Sequence, residues 1–269
     1  MFATDNSIDA EAERLLRSLM HVECDPKGRK WNLDTCREIA PLTLEINRLK
    51  KEKNAIILTH SYVEPEIVYG VGDFKGDSYY LSLMAKESSA DIILFAGVVF
   101  MAETAKILSP NTQVVVPDSG SGCSLADSIT GEEVRKLKQL HPDAAVVCYI
   151  NSTAEVKAEC DVCVTSGNVY DIVANLPESQ ILFVPDRLMA DNVRDELKRR
   201  GVQKEIIASD GTCIVHEEFD VAQITQARAQ FPGLKVVSHP ECTPEVAAAS
   251  DFVGSTGAMM KYVKETTAP

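Results

Sequence analysis

The chain has 269 residues, of which 45% are hydrophobic and 25% charged, and its formal net charge is −13. This composition is typical of a globular α/β protein and excludes collagen-like and low-complexity chains. A strongly negative chain repels phosphate backbones, so we expect no nucleic-acid partner. Apolar runs such as residues 90–102 are shorter than the roughly 20 residues of a membrane helix. We therefore expect no membrane association.

Residues 1–18 are acidic and lack the basic and apolar regions of an export signal, which predicts a cytoplasmic protein. The cytosol keeps thiols reduced, so the eight cysteines suggest metal ligation, redox chemistry or simple burial rather than a disulfide framework.

Residues 1–50 predict a helical N-terminal segment. Between residues 33 and 54, apolar side chains recur at helical spacing with charges on the opposite face. We expect this segment to be structural and to pack on a neighbouring domain.

From residue 51 onward, strand-like runs alternate with helical patterns, which predicts parallel α/β layers. Three similar runs end in polar or aromatic residues: 54–62, 144–151 and 234–242. Each is followed by a helical segment and a second run: 90–97, 160–168 and 250–257. We align the second runs on Asp91, Asp161 and Asp251. The last two are 90 positions apart, whereas the first two are 70 apart.

A third kind of run, 113–123 and 205–213, ends in cysteine after a turn containing glycine, and Cys123 and Cys213 are 90 positions apart. This spacing predicts three related three-layer αβα domains around a pseudo-threefold axis. The predicted domains are 51–128, 129–218 and 219–269. The third is expected to be incomplete, with its equivalent cysteine beyond Pro269. Because functional groups gather beyond the carboxyl ends of parallel strands, the three domains predict one shared site.

Several strings resemble one family, in the same order, over residues 54–260. They are GVVFMAETAKILSP (97–110), PDSGSGCSLAD (117–127), YINSTAEVKA (149–158), CVTSGN (163–168), GTCIVHEEF (211–219), HPEC (239–242) and GSTGAM (254–259). On these motifs the chain resembles the quinolinate synthase (quinolinate synthetase A) family.

The resemblance implies a [4Fe–4S] cluster held by one cysteine from each domain. Cys123 and Cys213 match the first two ligands, and the third is expected beyond Pro269. Three thiolates leave one iron with an open position, where it acts as a Lewis acid. The implied reaction condenses iminoaspartate with dihydroxyacetone phosphate to quinolinate, phosphate and water in NAD biosynthesis. The resemblance also implies a functional link to an L-aspartate oxidase or dehydrogenase.

The resemblance further implies which side chains bind and transform the substrates. The implied catalytic residues are Tyr62, Tyr149, His239 and Glu241. The implied substrate-binding residues are His60, Ser78, Asn151, Ser166, His216, Ser255 and Thr256. Residues 165–168 and 254–257 each precede a helical pattern, so we expect their hydroxyl and N–H groups to bind anions at helix N-termini.

Other interpretations are open at this point. One is a cluster-free protein that binds small anions without turnover. A second is a zinc hydrolase with Cys and His ligands, although the chain lacks a His-x-x-x-His pair. Cys160 and Cys163 could form a redox pair, and Cys242 could be an alternative third thiolate. We expect Cys24, Cys36 and Cys148 to be buried or incidental thiols.

Overall fold

The structure is a computed structural model that describes residues 5–22 and 28–268, so Cys24 lies outside the described residues. The chain divides into two compact units, Met1–Ser121 and Gly122–Pro269. Both contain parallel sheets flanked by helices, which confirms the predicted α/β class. No described helix has the length and apolar character needed to cross a bilayer.

The first unit contains one parallel sheet and five described helices. Its strands are β1 (Ala55–His60), β2 (Phe74–Gly76), β3 (Ile92–Ala96) and β4 (Gln113–Val115), in the order β2-β1-β3-β4. Its helices are α1 (Asp5–Leu19), α2 (Leu33–Glu52), α3 (Pro65–Gly70), α4 (Ser78–Glu87) and α5 (Val99–Leu108).

The helical pattern expected near residue 33 is confirmed as α2. Asn32 caps this helix in a capping box with Thr35, which satisfies N–H groups that would otherwise lack partners. Leu15 and Leu19 of α1 and Cys36 of α2 are fully buried in one apolar cluster. Cys36 is therefore a packing residue, as predicted. The predicted domain boundaries themselves stay predictions.

The second unit contains two parallel sheets. Its strands are β5 (Ala145–Tyr149), β6 (Val162–Val164), β7 (Gln180–Val184), β8 (Glu205–Ala208), β9 (Val237–Ser238) and β10 (Phe252–Val253). Their orders are β6-β5-β7-β8 and β10-β9. Its helices are α6 (Gly131–Leu140), α7 (Ala154–Ala158), α8 (Val169–Asn175), α9 (Arg187–Arg199), α10 (Val221–Gln230), α11 (Pro244–Ala249) and α12 (Thr256–Glu265).

The four-stranded sheet of the second unit is buried on both faces. Val147 and Phe183 belong to the apolar cluster on one face, whereas Val146, Cys148 and Leu182 belong to the cluster on the other. Such two-sided burial explains the continuous apolar runs of its central strands. Burial of Cys148 is confirmed. The core holds the carboxyl ends of β5 and β7 in fixed positions.

The predicted repeat is visible in two equivalent hydrogen-bonded pairs. Asp161 donates its N–H to Val146 O at 2.9 Å, and its Oδ2 accepts the Val146 N–H at 2.8 Å. Asp251 forms the same pair with Val236, at 2.8 and 2.9 Å. Each aspartate thus fixes the start of the first strand of its sheet beside the start of the second strand.

In the first unit, the aspartate that forms the equivalent hydrogen-bonded pair is Asp73. Its N–H donates to Ile57 O at 2.9 Å, and its Oδ2 accepts the Ile57 N–H at 2.8 Å. Asp91 instead precedes β3 and donates its N–H to Asn54 O. The predicted equivalence of Asp91 with Asp161 is therefore wrong. The second strand was overlooked because β2 is only FKG, without an apolar run.

Candidate active site

Cys123 and Cys213 occupy equivalent positions in the second unit. Each precedes a short 3₁₀ turn, Ala126–Ser128 and His216–Glu218 respectively. Each thiol accepts hydrogen bonds from the backbone N–H groups two and three residues later. Converging N–H groups of this kind stabilise a thiolate, which is the form that binds metals.

The two thiols share one environment. Both cysteines pack against the apolar cluster on one face of the β5–β8 sheet. Burial raises the pKa of each thiol, and the nearby charge of Cys123 contributes to the raised pKa of Cys213. Their role as shared ligands of one cluster stays a prediction.

Glu241, just beyond β9, is the centre of the predicted catalytic residues. Its side chain is almost fully buried, and its Oε2 lies 3.0 Å from His239 Nδ1 and 3.7 Å from His216 Nδ1. The Tyr149 hydroxyl, at the end of β5, donates to the same oxygen at 3.3 Å. The two imidazole rings stack with centroids 5.1 Å apart. Three of the predicted residues therefore surround the carboxylate of a fourth, Glu241.

Burial dominates the electrostatics of this group. Burial, with the neighbouring Glu241 charge, raises the pKa of Tyr149 well above its usual value. Burial also lowers the pKa of His216, against the opposing effect of Glu241. For Glu241, burial raises the pKa, but the His239 hydrogen bond and the nearby imidazoles outweigh it and lower the pKa overall. The group therefore favours a neutral phenol beside a carboxylate.

One set of side chains in the second unit could hold a metal ion. A thiol sulfur of Cys213, a ring nitrogen of His216 and a carboxylate oxygen of Glu241 all lie within 4.8 Å of one another. His216 Nδ1 and Glu241 Oε1 are buried without a hydrogen-bond partner among the described residues. Neither Cys123 nor Cys242 belongs to this set. Cys213 and His216 also form a closely spaced ligand pair that the sequence analysis overlooked.

Asp186 is a site residue that the sequence analysis missed. It follows β7 and is fully buried. Its Oδ1 accepts the Met189 N–H at 2.9 Å and caps α9, whereas its Oδ2 has no hydrogen-bond partner within ordinary geometric limits among the described residues. Burial, together with the Glu241 carboxylate, raises the pKa of Asp186 to about 8. The signal was present, since the apolar run of β7 ends in Pro-Asp, a polar group beyond a strand end.

The two turns predicted to bind anions lie side by side. Ser166 follows β6 and interacts with the Tyr149 hydroxyl. Ser255 caps α12 and accepts the Ala258 N–H at 3.3 Å. A Cβ atom at Gly167 would lie 3.6 Å from Ser255 Oγ. The expected helix N-termini are therefore confirmed, and their use by substrate stays a prediction.

Two other predicted substrate-binding residues of the second unit lie beside these elements. Asn151 follows β5 by two residues and is partly buried. Thr256 is the first residue of α12 and is also partly buried.

The remaining predicted site residues, His60, Tyr62 and Ser78, lie in the first unit. His60 ends β1, and its ring lies 3.9 Å from that of Tyr62 between centroids. The Tyr62 hydroxyl contacts Met101 Sδ at 3.9 Å. Ser78 opens α4, which Asp77 caps. Burial lowers the pKa of His60 to about 4, although Asp77 opposes the shift.

The two remaining cysteine hypotheses concern Cys160 and Cys242. Cys160 precedes β6 and Cys163 lies within it, as the sequence predicts. The Cys163 side chain is a strand neighbour of Cys148 in the parallel register. Cys242 is buried and donates its N–H to His239 O at 3.0 Å.

Comparison with known proteins places the whole second unit in one family. A family model described as "Quinolinate synthetase A protein" matches residues 44–269. A quinolinate synthase of Caulobacter vibrioides strain NA1000 is 49% identical over 228 residues, which cover 83% of this chain. "Quinolinate synthase 2" of Mesorhizobium japonicum is 48% identical over 221 residues, 82% of this chain and 67% of the relative. The quinolinate synthase of Clostridium perfringens is 47% identical over 223 residues, which cover 83% of this chain and 72% of the relative.

The match covers 61% of the length of the Caulobacter relative, so this chain corresponds to part of that protein. The family model nevertheless spans most of the present chain, including every residue of the Glu241 group and both equivalent cysteines. The chain belongs to the quinolinate synthetase A family.

Proposed function

We propose that this chain carries the site of a quinolinate synthase that acts in NAD biosynthesis in the cytoplasm. The relatives bear that name at 47% to 49% identity. The proposed substrates are iminoaspartate and dihydroxyacetone phosphate, which condense to quinolinate with loss of phosphate and water. An L-aspartate oxidase or dehydrogenase would supply the iminoaspartate.

Cys123 and Cys213 are the proposed ligands of a [4Fe–4S] cluster. Their chemistry fits, because both thiols are partly buried and each receives two backbone N–H groups. When bound, the cluster would supply Lewis-acid chemistry at an iron with an open position.

The observation that carries the proposal is the convergence of Tyr149, His239 and His216 on Glu241. The condensation and dehydration steps require several proton transfers. The Tyr149 hydroxyl is placed to donate a proton, and the Glu241 carboxylate is placed to accept one. His239 holds the carboxylate in position through Oε2. The buried setting excludes water from these transfers.

Hydroxyl groups at strand ends are proposed to hold the substrate anions. In the second unit these are Ser166, Ser255 and Thr256, supported by the position of Ser255 and Thr256 at the start of α12. In the first unit, His60 and Ser78 are proposed to bind substrate.

The test is anaerobic reconstitution of the full-length gene product, followed by iron and sulfide analysis and a quinolinate assay. We expect Cys123→Ser and Cys213→Ser each to lower the iron content and to abolish quinolinate formation. The matched control is Cys163→Ser, because Cys163 is an exposed strand residue outside this group. Full iron content in both site variants would contradict the proposal.

The alternative of a cluster-free protein that binds small anions without turnover is less well supported. The relatives are named as synthases, and the Glu241 group contains proton donors and acceptors beyond what anion binding needs.

A further inference from the structure

The group formed by Cys213, His216 and Glu241 has donor atoms that the protein leaves unused. Glu241 is 3% exposed, and its Oε1 has no hydrogen-bond partner among the described residues. The same holds for His216 Nδ1. Leaving buried polar atoms without hydrogen-bond partners is energetically unfavourable. The group therefore has the features of a site that is completed by a ligand.

We propose that Cys213, His216 and Glu241 bind one divalent transition-metal ion of the zinc type when the chain carries no iron–sulfur cluster. Their ligand atoms lie within 4.8 Å of one another, so each could reach a common ion through small side-chain rotations. Thiolate, imidazole and carboxylate are the three ligand types that zinc uses. Three protein ligands leave the fourth tetrahedral position to water or a small anion.

The surroundings of Glu241 support this role. His239 and Tyr149 contact Oε2, at 3.0 and 3.3 Å, and leave Oε1 as the unpartnered oxygen. Hydrogen bonds of this kind orient a ligating carboxylate and increase metal affinity. Three chain segments thus provide both the ligands and the residues that orient them.

The site overlaps the proposed cluster site at Cys213 but does not use Cys123. The cluster proposal requires both Cys123 and Cys213, whereas the mononuclear site uses Cys213 alone. One thiolate cannot serve both in this way, so the ion and the cluster exclude each other. An ion bound here would also occupy Glu241 and His216, and would block the proposed proton transfers.

The experiment is a titration of the cluster-free 269-residue chain with Zn²⁺, and with Co²⁺ as a spectroscopic probe. We expect one ion per chain and a thiolate-to-cobalt charge-transfer band. Cys213→Ser should abolish the band, and His216→Asn and Glu241→Gln should each weaken binding by at least about 100-fold. His239→Gln, which changes only an orienting residue, should weaken it by roughly 10–100-fold.

Cys123→Ser and Cys163→Ser are the matched controls, and both should retain the band and the affinity. Retained affinity in Cys213→Ser, or in both His216→Asn and Glu241→Gln, would overturn the proposal. Loss of binding in Cys123→Ser would also overturn it, since the ion would then lie between the two cysteines. Thermal melting of each metal-free variant shows that the variant is folded.

The outcome is separable from that of the proposed function. Failure of the synthase proposal would appear as missing iron and missing quinolinate in the reconstituted protein. Failure of the mononuclear site would appear as absent or misplaced zinc in the cluster-free chain. A zinc-loaded sample that still takes up a full cluster would contradict mutual exclusion.

Discussion

Glu241 shows how much one buried carboxylate can depend on its neighbours. A lone buried carboxylate is unfavourable, and the structure compensates with His239, the Tyr149 hydroxyl and the His216 ring. The compensation is incomplete, because Oε1 and the nearby Asp186 Oδ2 have no hydrogen-bond partner among the described residues. At the residue scale, such incompletely satisfied groups are typical of functional sites rather than of packing.

The first prediction at this scale concerns Tyr149. Tyr149→Phe removes the hydroxyl that donates to Glu241 but keeps the buried ring in the apolar cluster. We expect kcat for quinolinate formation to fall by about 10²–10⁴-fold, the usual contribution of a positioned acid or base. The melting temperature should change little. Tyr69→Phe, on α3, is the matched control and should retain activity.

The second prediction concerns His60 and pH. Its pKa is lowered to about 4 because the ring is buried, whereas the unfolded chain has the ordinary value of 6.5. The unfolded state therefore takes up a proton first as the pH falls. Titration of His60 therefore leaves the free energy of unfolding unchanged above pH 6.5 and lowers it progressively between pH 6.5 and about 4. At pH 5 the free energy of unfolding is lower by at most about 2 kcal/mol.

Chemical unfolding of the wild type and His60→Gln at pH 7 and pH 5 measures this effect. The variant should lose less stability than the wild type on acidification. Equal losses would show that the imidazole does not titrate as described. An NMR titration of the His60 ring provides a direct second measurement.

At the element scale, the three sheets share a few residues at equivalent positions rather than long stretches of similar sequence. Asp73, Asp161 and Asp251 each bond reciprocally to the start of the first strand in their sheet. Five residues after each aspartate stands a hydroxyl residue, namely Ser78, Ser166 and Thr256. Ser78 and Thr256 are the first residues of α4 and α12, whereas Ser166 lies three residues before α8. The three hydroxyl residues thus share their spacing from the aspartate.

The prediction at this scale tests the aspartate pairs. Asp161→Ala leaves the N–H of buried Val146 without its carboxylate acceptor. We expect the second unit to lose about 1–3 kcal/mol of unfolding free energy, whereas Asp161→Asn, which keeps an oxygen acceptor, should lose less. Asp195→Ala on the exposed side of α9 is the control and should change stability by less than about 0.5 kcal/mol. Equal effects of Asp161→Ala and Asp195→Ala would contradict the assigned role.

At the scale of the whole molecule, the dominant property is the net charge of −13. Such a charge opposes binding of polyanions at distances up to the Debye length. We expect no retention of duplex DNA in a gel-shift assay at physiological salt. Binding that weakens as salt increases would indicate a local basic patch and contradict this prediction.

The sequence by itself determined the properties that depend on neighbouring residues. Alternating apolar runs predicted the parallel strands, and the helical spacing of apolar residues predicted α2. The helical patterns after residues 165–168 and 254–257 predicted α8 and α12. The spacing of 90 positions predicted the equivalence of Cys123 and Cys213, which the two 3₁₀ turns bear out. The apolar pattern does not predict the short strand β2, because its three residues contain no apolar run. For this reason the pattern aligned Asp91, rather than Asp73, with the other two aspartates.

Only the tertiary structure decided which strand ends meet. Asp186 lies beside Glu241 because β7 is central in its sheet, a position that depends on sheet order rather than on local sequence. Cys213 and His216 are neighbours in sequence, but their approach to Glu241 depends on how the segments around β8 and β9 pack. The physical reason is that periodicity and turn chemistry act over a few residues, whereas the convergence of distant side chains is fixed by sheet order, register and burial.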